Sequence, residues 1–424
     1  MAMRITTNGL FRNYRTNLTK NNNKLNTSMV QVQTQRKFNA YAEDPAEAAR
    51  AFQLRRSYWR AGDQIDNTNY VISKFQTAYS AMDAVIEGNY NDGGLNGIYD
   101  ILSGLSDPSG SARVAIGQSI VSTAESIVRM MNTTYGDDFV FAGADGLNVP
   151  FVWDGDNLLY RGIDVSLPRT LTQDEFEILN GDYSELTGET TGFSEFLAGK
   201  NIQEDGSGDY ETEFDAYKAW YLQEFDPQIK TDDGYEKATF DQVASRLHEA
   251  TYVDIGIGMQ LNSKEQVIPT SAFNSAICGM DVLGGGVDED GDSLNLAVLM
   301  RELGTIFSNC HSESGDYQEY TYNGETYSAS EARERANVLT NKVRSGISRM
   351  IEQHTQISAR VDYLNSNVSQ LTATKDQLNE QIIESEQIDA ADAITQMNWA
   401  QYCYNAALRI GNSILSQSLI DFMN

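Results

Sequence analysis

Apolar positions recur on alternating three- and four-residue steps in two long stretches of the chain. In the first, Ala51, Leu54, Tyr58, Ala61, Ile65, Thr68, Ile72, Phe75, Tyr79, Met82 and Ile86 fall on one stripe. That spacing predicts a coiled-coil-type helix of roughly forty residues, about 60 Å long at 1.5 Å per residue. In the second, Thr340, Ile347, His354, Val361, Val368, Lys375 and Ile382 take one heptad position, and Val343, Met350, Ile357, Leu364, Leu371 and Leu378 take the other. Three or four such heptads suffice to identify a coiled coil, and this run is longer. The polar seam residues His354 and Lys375 read either as side chains tolerated at a wet seam or as register-fixing residues that cost stability.

Local signals frame these stripes. Asp44 is a good N-cap, Pro45 suits the first helical position, and Glu47 stands where a capping box needs its acid. "EGNYNDGG" at 87–94 ends the first long helix. Before it, Phe11, Tyr14, Leu18, Leu25 and Val32 predict a helix over about 4–32, with Asn21 and Ser28 filling its seam. So few apolar residues among so many Asn and Thr predict a helix that is not stable alone. Ile116, Ile120, Ile127 and Met131 predict a further helix over 111–135.

At Asp138 the pattern changes to short apolar runs broken by Gly, Asp-Gly and Pro, which predicts strands and turns. Residues 170–245 are acidic and mixed, with one helix near 211–225. "TYVDIGIGMQLNS" at 251–263 alternates and predicts a strand, and a glycine-rich loop at 282–293 leads to the apolar helix "LNLAVLMRELGTIF". After the second stripe, "SEQIDAADA" breaks the pattern before a last amphipathic helix.

The expected fold is mainly α with a β-rich insert: a long antiparallel coiled coil or helical bundle built by the N- and C-terminal segments, and a projecting β-rich domain. The expected segments are a terminal helix in 1–43, bundle in 44–137, an acidic β-rich domain in 138–300, bundle in 301–390 and a terminal helix in 391–424. Paired long helices at opposite ends of one chain imply a rod, which is the shape of a structural subunit.

Charge sharpens this division. Residues 138–330 carry 37 acidic against 9 basic side chains, a net of −28, while 1–137 and 331–424 are nearly balanced. A polyanionic middle repels other copies of itself and argues against nucleic acid as a partner. Balanced ends suit segments that pack on other chains. Arg50, Arg55, Arg56 and Arg60 are expected to meet acids on the C-terminal helix or on a neighbouring subunit. There is no run of eighteen apolar residues to span a membrane, and the first residues lack the apolar core of a cleavable signal peptide. Cys278, Cys310 and Cys403 are too scattered for a zinc or dithiol motif and read as mostly buried thiols.

No catalytic or cofactor constellation emerges. "HEATY" at 248–252 has Tyr252 where a zinc protease needs its second histidine. "DEDGDS" at 288–293 has Ser293 in the glycine position and Leu299 in the position of the bidentate Glu, so the EF-hand reading fails and a solvated acidic turn is expected. Nucleophile elbows, P-loops and paired GxGxxG motifs are absent.

Several stretches resemble bacterial flagellin-type axial proteins. "AEDPAEAARAFQLR" (42–55) is similar to that family's Asp-Asp-Pro followed by an Ala-rich helix, with Glu43 in place of the first Asp. The loop before it, "TQRKFNAY", departs from the family pattern. "MRITTNGLFRNYRTNL" from Met3, "FVFAGADGLNVPFVWDGDNLLYRG" (139–162) and "ALRIGNSILSQSLIDFMN" (407–424) look more like the hook-associated branch at the hook–filament junction than like flagellin itself. The resemblance implies export without a cleavable signal peptide, a homo-oligomeric ring in the extracellular axial structure, and other hook-associated proteins, flagellin and an export chaperone as partners. It implies no cofactor, no membrane and no enzyme activity. The apolar face of the last helix (Trp399, Leu408, Ile414, Leu415, Leu419 and Phe422) would meet the chaperone or a neighbouring subunit. Leu54, Ile65, Ile72, Phe75, Met82, Val343, Met350, Ile357, Val361, Leu364, Val368, Leu371 and Leu378 would form the bundle seam. Flagellin, and after it a secreted coiled-coil adhesin, are the alternatives.

Overall fold

The computed structural model describes the chain except for residues 1–6, 41, 88–93, 105–110, 169, 180–190, 204–207, 232–233, 248–249, 264, 289 and 424. It divides into two units, Met1–Asp66 with Ser369–Asn424, and Asn67–Val368. Helices α2 (Pro45–Ile86) and α11 (Ala329–Glu386) contribute to both.

The terminal unit adds α1 (Thr7–Thr34) and α12 (Ala390–Met423), which pack along each other. They run antiparallel: Tyr14 lies against Gly411 at one end, and the backbone of Ile388 donates to Gln35 at the other (3.1 Å). On α1 the inward positions follow the predicted steps, with Leu25 and Ser28 buried and Tyr14, Leu18, Asn21 and Val32 half-buried. Small residues answer them: among the described residues of α12, Ala393, Ala400 and Gly411 are the buried ones. Any side chain at Gly411 would run into the Tyr14 ring, so glycine there permits the close approach.

The second unit has a dense core. Ile72, Phe75 and Met82 of α2 and Val343, Met350, Ile357 and Leu364 of α11 are all buried in it. Helices α3 (Leu95–Gly104), α4 (Ser111–Met131) and α10 (Leu296–Ser308) join them. Helices α4 and α10 cross at paired glycines: a Cβ on Gly304 would stand 2.6 Å from Val121 Cγ2 and 2.9 Å from the Gly117 carbonyl. Helix α4 ends where Asn132 turns back and exchanges hydrogen bonds with the backbone of Phe151 (2.8 and 2.9 Å).

Two short strands, β1 (Thr134–Tyr135) and β2 (Asp138–Phe139), follow α4 and pair with each other. A five-stranded antiparallel sheet comes next, in the order β3 (Phe151–Asp154), β4 (Asn157–Tyr160), β5 (Ile163–Asp164), β6 (Gln228–Thr231), β7 (Gly234–Lys237). Between β5 and β6 lie α5 (Gln173–Ile178), α6 (Thr191–Leu197) and α7 (Glu213–Phe225), and α8 (Phe240–Leu247) follows the sheet. Phe176, Phe193, Tyr217, Trp220, Tyr221 and Phe240 from these helices form one ring cluster. Of these helices, the sequence pattern predicts only α7. The others are one or two turns long, too short for a period to register, and the aromatic cluster holds them.

The predicted strand at 251–263 shrinks to β8 (Tyr252–Val253), paired with β9 (Phe273–Asn274). Asp254 accepts from the Gly256 backbone (2.9 Å), and Gly256 and Gly258 adopt φ of 89° and 86°. Those angles take the backbone out of the extended region, so the alternation of apolar residues continues without a sheet. The short α9 (Gly279–Leu283) precedes α10, and the hairpin β10 (Tyr320–Tyr322) and β11 (Glu325–Tyr327) precedes α11.

Candidate assembly surfaces

The terminal unit is tied together at a double corner. The break after α1 and the break after α11 lie side by side: Arg36 and Gln387 form an antiparallel bridge, and Lys37 N donates to Glu386 O at 2.7 Å. Lys37 Nζ also donates to the Glu384 carbonyl. Asp389 then caps α12, its carboxylate accepting from Ala391 N (2.7 Å) and Asp392 N (3.3 Å).

Helix α2 starts at the same corner. Asp44 Oδ1 accepts from Glu47 N at 3.1 Å, as an N-cap does. The Glu47 carboxylate, in contrast, accepts from Ser385 Oγ at 3.0 Å, so the acid of the expected capping box ties the two halves of the chain instead. About two turns further along α2, Arg55 pairs with Glu386. Arg50 and Arg56 are exposed and form no ion pair among the described residues, whereas Arg55 meets the expected acid on the C-terminal half of the chain. Higher up, Lys375 lies over the Tyr58 ring at 5.1 Å.

Away from the corner this unit exposes several large apolar side chains among its polar ones. Trp399 is 64% exposed, Tyr402 68%, Ile410 57% and Leu408 43%, and Trp399 and Tyr402 meet edge to face at 5.9 Å. Phe52 and Trp59 of α2 are equally bare. Clusters of this kind on a water-facing surface mark interaction sites. Ile414, Leu415, Leu419 and Phe422 lie on the described backbone of α12, but their side chains fall outside the described set. Within the seam, Leu54, Ile65 and Leu378 are half-buried and Leu371 buried in this unit, whereas Val361 and Val368 are half-buried in the second. Cys403 is exposed, unlike the buried Cys278 and Cys310, because it lies on the open side of α12.

The second unit contains a charge network that its sequence does not announce. The turn at 288–293 is not simply solvated. Asp288, Asp290 and Asp292 converge on Lys342 Nζ, at 2.7 Å for Asp288 and 3.1 Å for Asp290. An ammonium group from α11 therefore stands where the calcium reading would put a cation. Arg335 bridges onward, contacting Asp292 at 2.9 Å and gripping the buried Glu302 with two nitrogens, while Tyr320 donates to Glu302 at 3.3 Å. Burial opposes the charge on Lys342, but its three carboxylate partners outweigh that and raise its pKa. Burial likewise works against the Asp288 carboxylate, and the bond from Lys342 with two backbone N–H groups holds it below its usual range. The partners lie some fifty residues apart, which is why the local motif pointed elsewhere.

The remaining polar candidates have structural surroundings. His354 stacks on Tyr79 at 4.2 Å, 3.6 Å from Asp83, and His311 accepts from two backbone N–H groups in its own turn. His248 and Glu249 of the zinc-protease-like stretch lie outside the described residues. No described helix is long and apolar enough to cross a membrane.

Residues 5–89 match the family described as bacterial flagellin N-terminal helical region. The chain is flagellin-like over that segment, which spans α1 and α2 with the corner between them. Comparison with curated protein sequences gave no match. Among solved structures, a chain from Vibrio parahaemolyticus described as a flagellar hook-associated protein is similar at 10% identity and a TM-score of 0.44, covering 81% of this chain and 100% of that one.

Proposed function

We propose that this chain is a structural subunit of the bacterial flagellum, placed at the junction of hook and filament and assembling with copies of itself through α1 and α12 after export. The observation that carries this reading is the set of exposed apolar side chains Trp399, Tyr402, Leu408 and Ile410 on a helix that packs against a flagellin-like N-terminal region. Residues 1–43 and 391–424 would form the inner core of the axial structure, 44–137 and 301–390 the bundle around it, and 138–300 the outward acidic domain. Other hook-associated proteins and flagellin would be the axial neighbours. An export chaperone would cover the last helix before assembly, since that surface is costly to leave in water. Nothing in this role calls for catalysis.

The second reading is a filament subunit, favoured by the flagellin identity of the matched region. Imaging cells that lack the gene separates the two. Hooks without filaments, with flagellin shed into the medium, support the junction. Filaments assembled solely from this chain support flagellin, and unaltered motility contradicts both.

A further inference from the structure

Helix α11 carries two kinds of cation in the second unit. Arg335 and Lys342 are answered by carboxylates, as described above. Arg344 and Arg349, on the following turns, have no carboxylate within ion-pair distance among the described residues, and the Nε of each is buried without an acceptor. Arg344 rests on the Tyr99 ring at 5.4 Å, and Arg349 gives one Nη to the Leu294 carbonyl at 2.7 Å. Both guanidiniums are therefore held in place while keeping donors free. They line a groove of about 520 Å³ together with Asn341, Ser345 and Ser348. The one acid in the lining, Glu352, accepts from Gln356 on its own helix (3.4 Å). Burial alone lowers the pKa of Arg349, as it does for a cation with no counter-charge.

A chain with 60 acidic and 31 basic residues has no shortage of carboxylates to spend on these two arginines. We propose that the groove is an oxyanion site that receives the carboxylates of an acidic segment from a second copy of this chain. Two fixed guanidinium forks suit paired carboxylates, and the Ser345 hydroxyl and the second amide hydrogen of Asn341 add neutral donors, while Ser348 Oγ donates to the Arg344 carbonyl at 3.0 Å. The complementary charge is supplied by residues 138–330, with their net of −28. Copies carrying such a surface repel one another when brought together, and a cationic groove on each converts part of that repulsion into a directed contact.

The proposal rests on the reading of the chain as a self-assembling subunit, and sedimentation of the full chain at low and high salt tests it. Wild type should self-associate, less so as salt rises, and inorganic sulfate at constant ionic strength should compete. Arg344→Glu with Arg349→Glu should weaken association about tenfold or more at low salt and flatten the salt dependence. Arg344→Gln with Arg349→Gln, whose helical circular dichroism should match wild type, should also lose the sulfate effect. Wild-type association and salt slope in these variants would overturn the proposal, as would a wild type that stays monomeric throughout. If charge reversal changes nothing while deletion of 407–424 abolishes association, the groove fails and the terminal-helix reading stands. If association survives both changes, both readings fail.

Discussion

Phe52 and Phe75 lie on the same helix, yet one is 61% exposed and the other fully buried. That contrast separates the two units of this protein. In the second unit α2 is one wall of a finished core, with α11, α3, α4 and α10 around it. In the terminal unit the same helix, with α1, α12 and the end of α11, buries mostly small residues beside Leu25 and Leu371 and leaves Phe52, Trp59, Trp399 and Tyr402 bare. Two regions of one chain thus differ in kind: one closes its core, and the other leaves large apolar side chains exposed, which the proposed assembly would have a neighbour cover.

The widest gap should come from truncating those two phenylalanines. Phe75→Ala should cost about 4 kcal/mol in denaturant unfolding, the usual price of removing a core ring. Phe52→Ala should stay within about 0.5 kcal/mol, as for an exposed site. Equal losses would erase the contrast between the units.

Next in size is the charge network. Glu302→Gln leaves the Arg335 guanidinium with Asp292 as its one remaining carboxylate partner in the network and should lower the stability of the second unit by about 2 kcal/mol. The pH dependence follows the same groups. Because the pKa of Asp288 is depressed in the fold, its contribution is complete above the ordinary value of 3.8 and is lost as pH falls through the folded value. Because that of Lys342 is raised, its contribution is complete below the ordinary 10.5 and is lost as pH rises through the folded value. Lys342→Met should therefore shrink the acid limb of the unfolding profile below about pH 4. An unchanged limb would show that the aspartates gain nothing from the lysine.

The smallest effect belongs to the corner. Asp44→Ala should cost about 1 kcal/mol, the value of an N-cap. The loss should appear in the protection of the terminal helices and leave the second unit's transition in place.

What the sequence made legible follows the same division by length scale. The stripe from Ala51 to Ile86 and the heptads from Thr340 to Ile382 specified α2 and α11 because dozens of residues repeat one period. The weak seam of α1, down to Asn21 and Ser28 as its fillers, was readable for the same reason. Asp44 and Pro45 marked the start of α2 through purely local chemistry. The partnership of Glu47 with Ser385, and of Lys342 with three aspartates, could not be read, since each joins residues that only the fold brings together. The 251–263 stretch misled because alternation records which residues are apolar and not the φ angles that two glycines impose. At the last helix, Trp399 and Leu408 stand out as large apolar residues in sequence, but their exposure depends on the small residues Ala393, Ala400 and Gly411 having taken the inward face.

Hydrogen exchange on the full-length free chain, compared with the same chain in isolated hook–filament preparations, tests the central claim most directly. The account predicts fast exchange in α1 and α12 and slow exchange in α4 and α10 for the free chain, with strong protection of α1 and α12 appearing only on assembly. Equal protection of both units in the free chain, or no gain in the terminal helices on assembly, would contradict it.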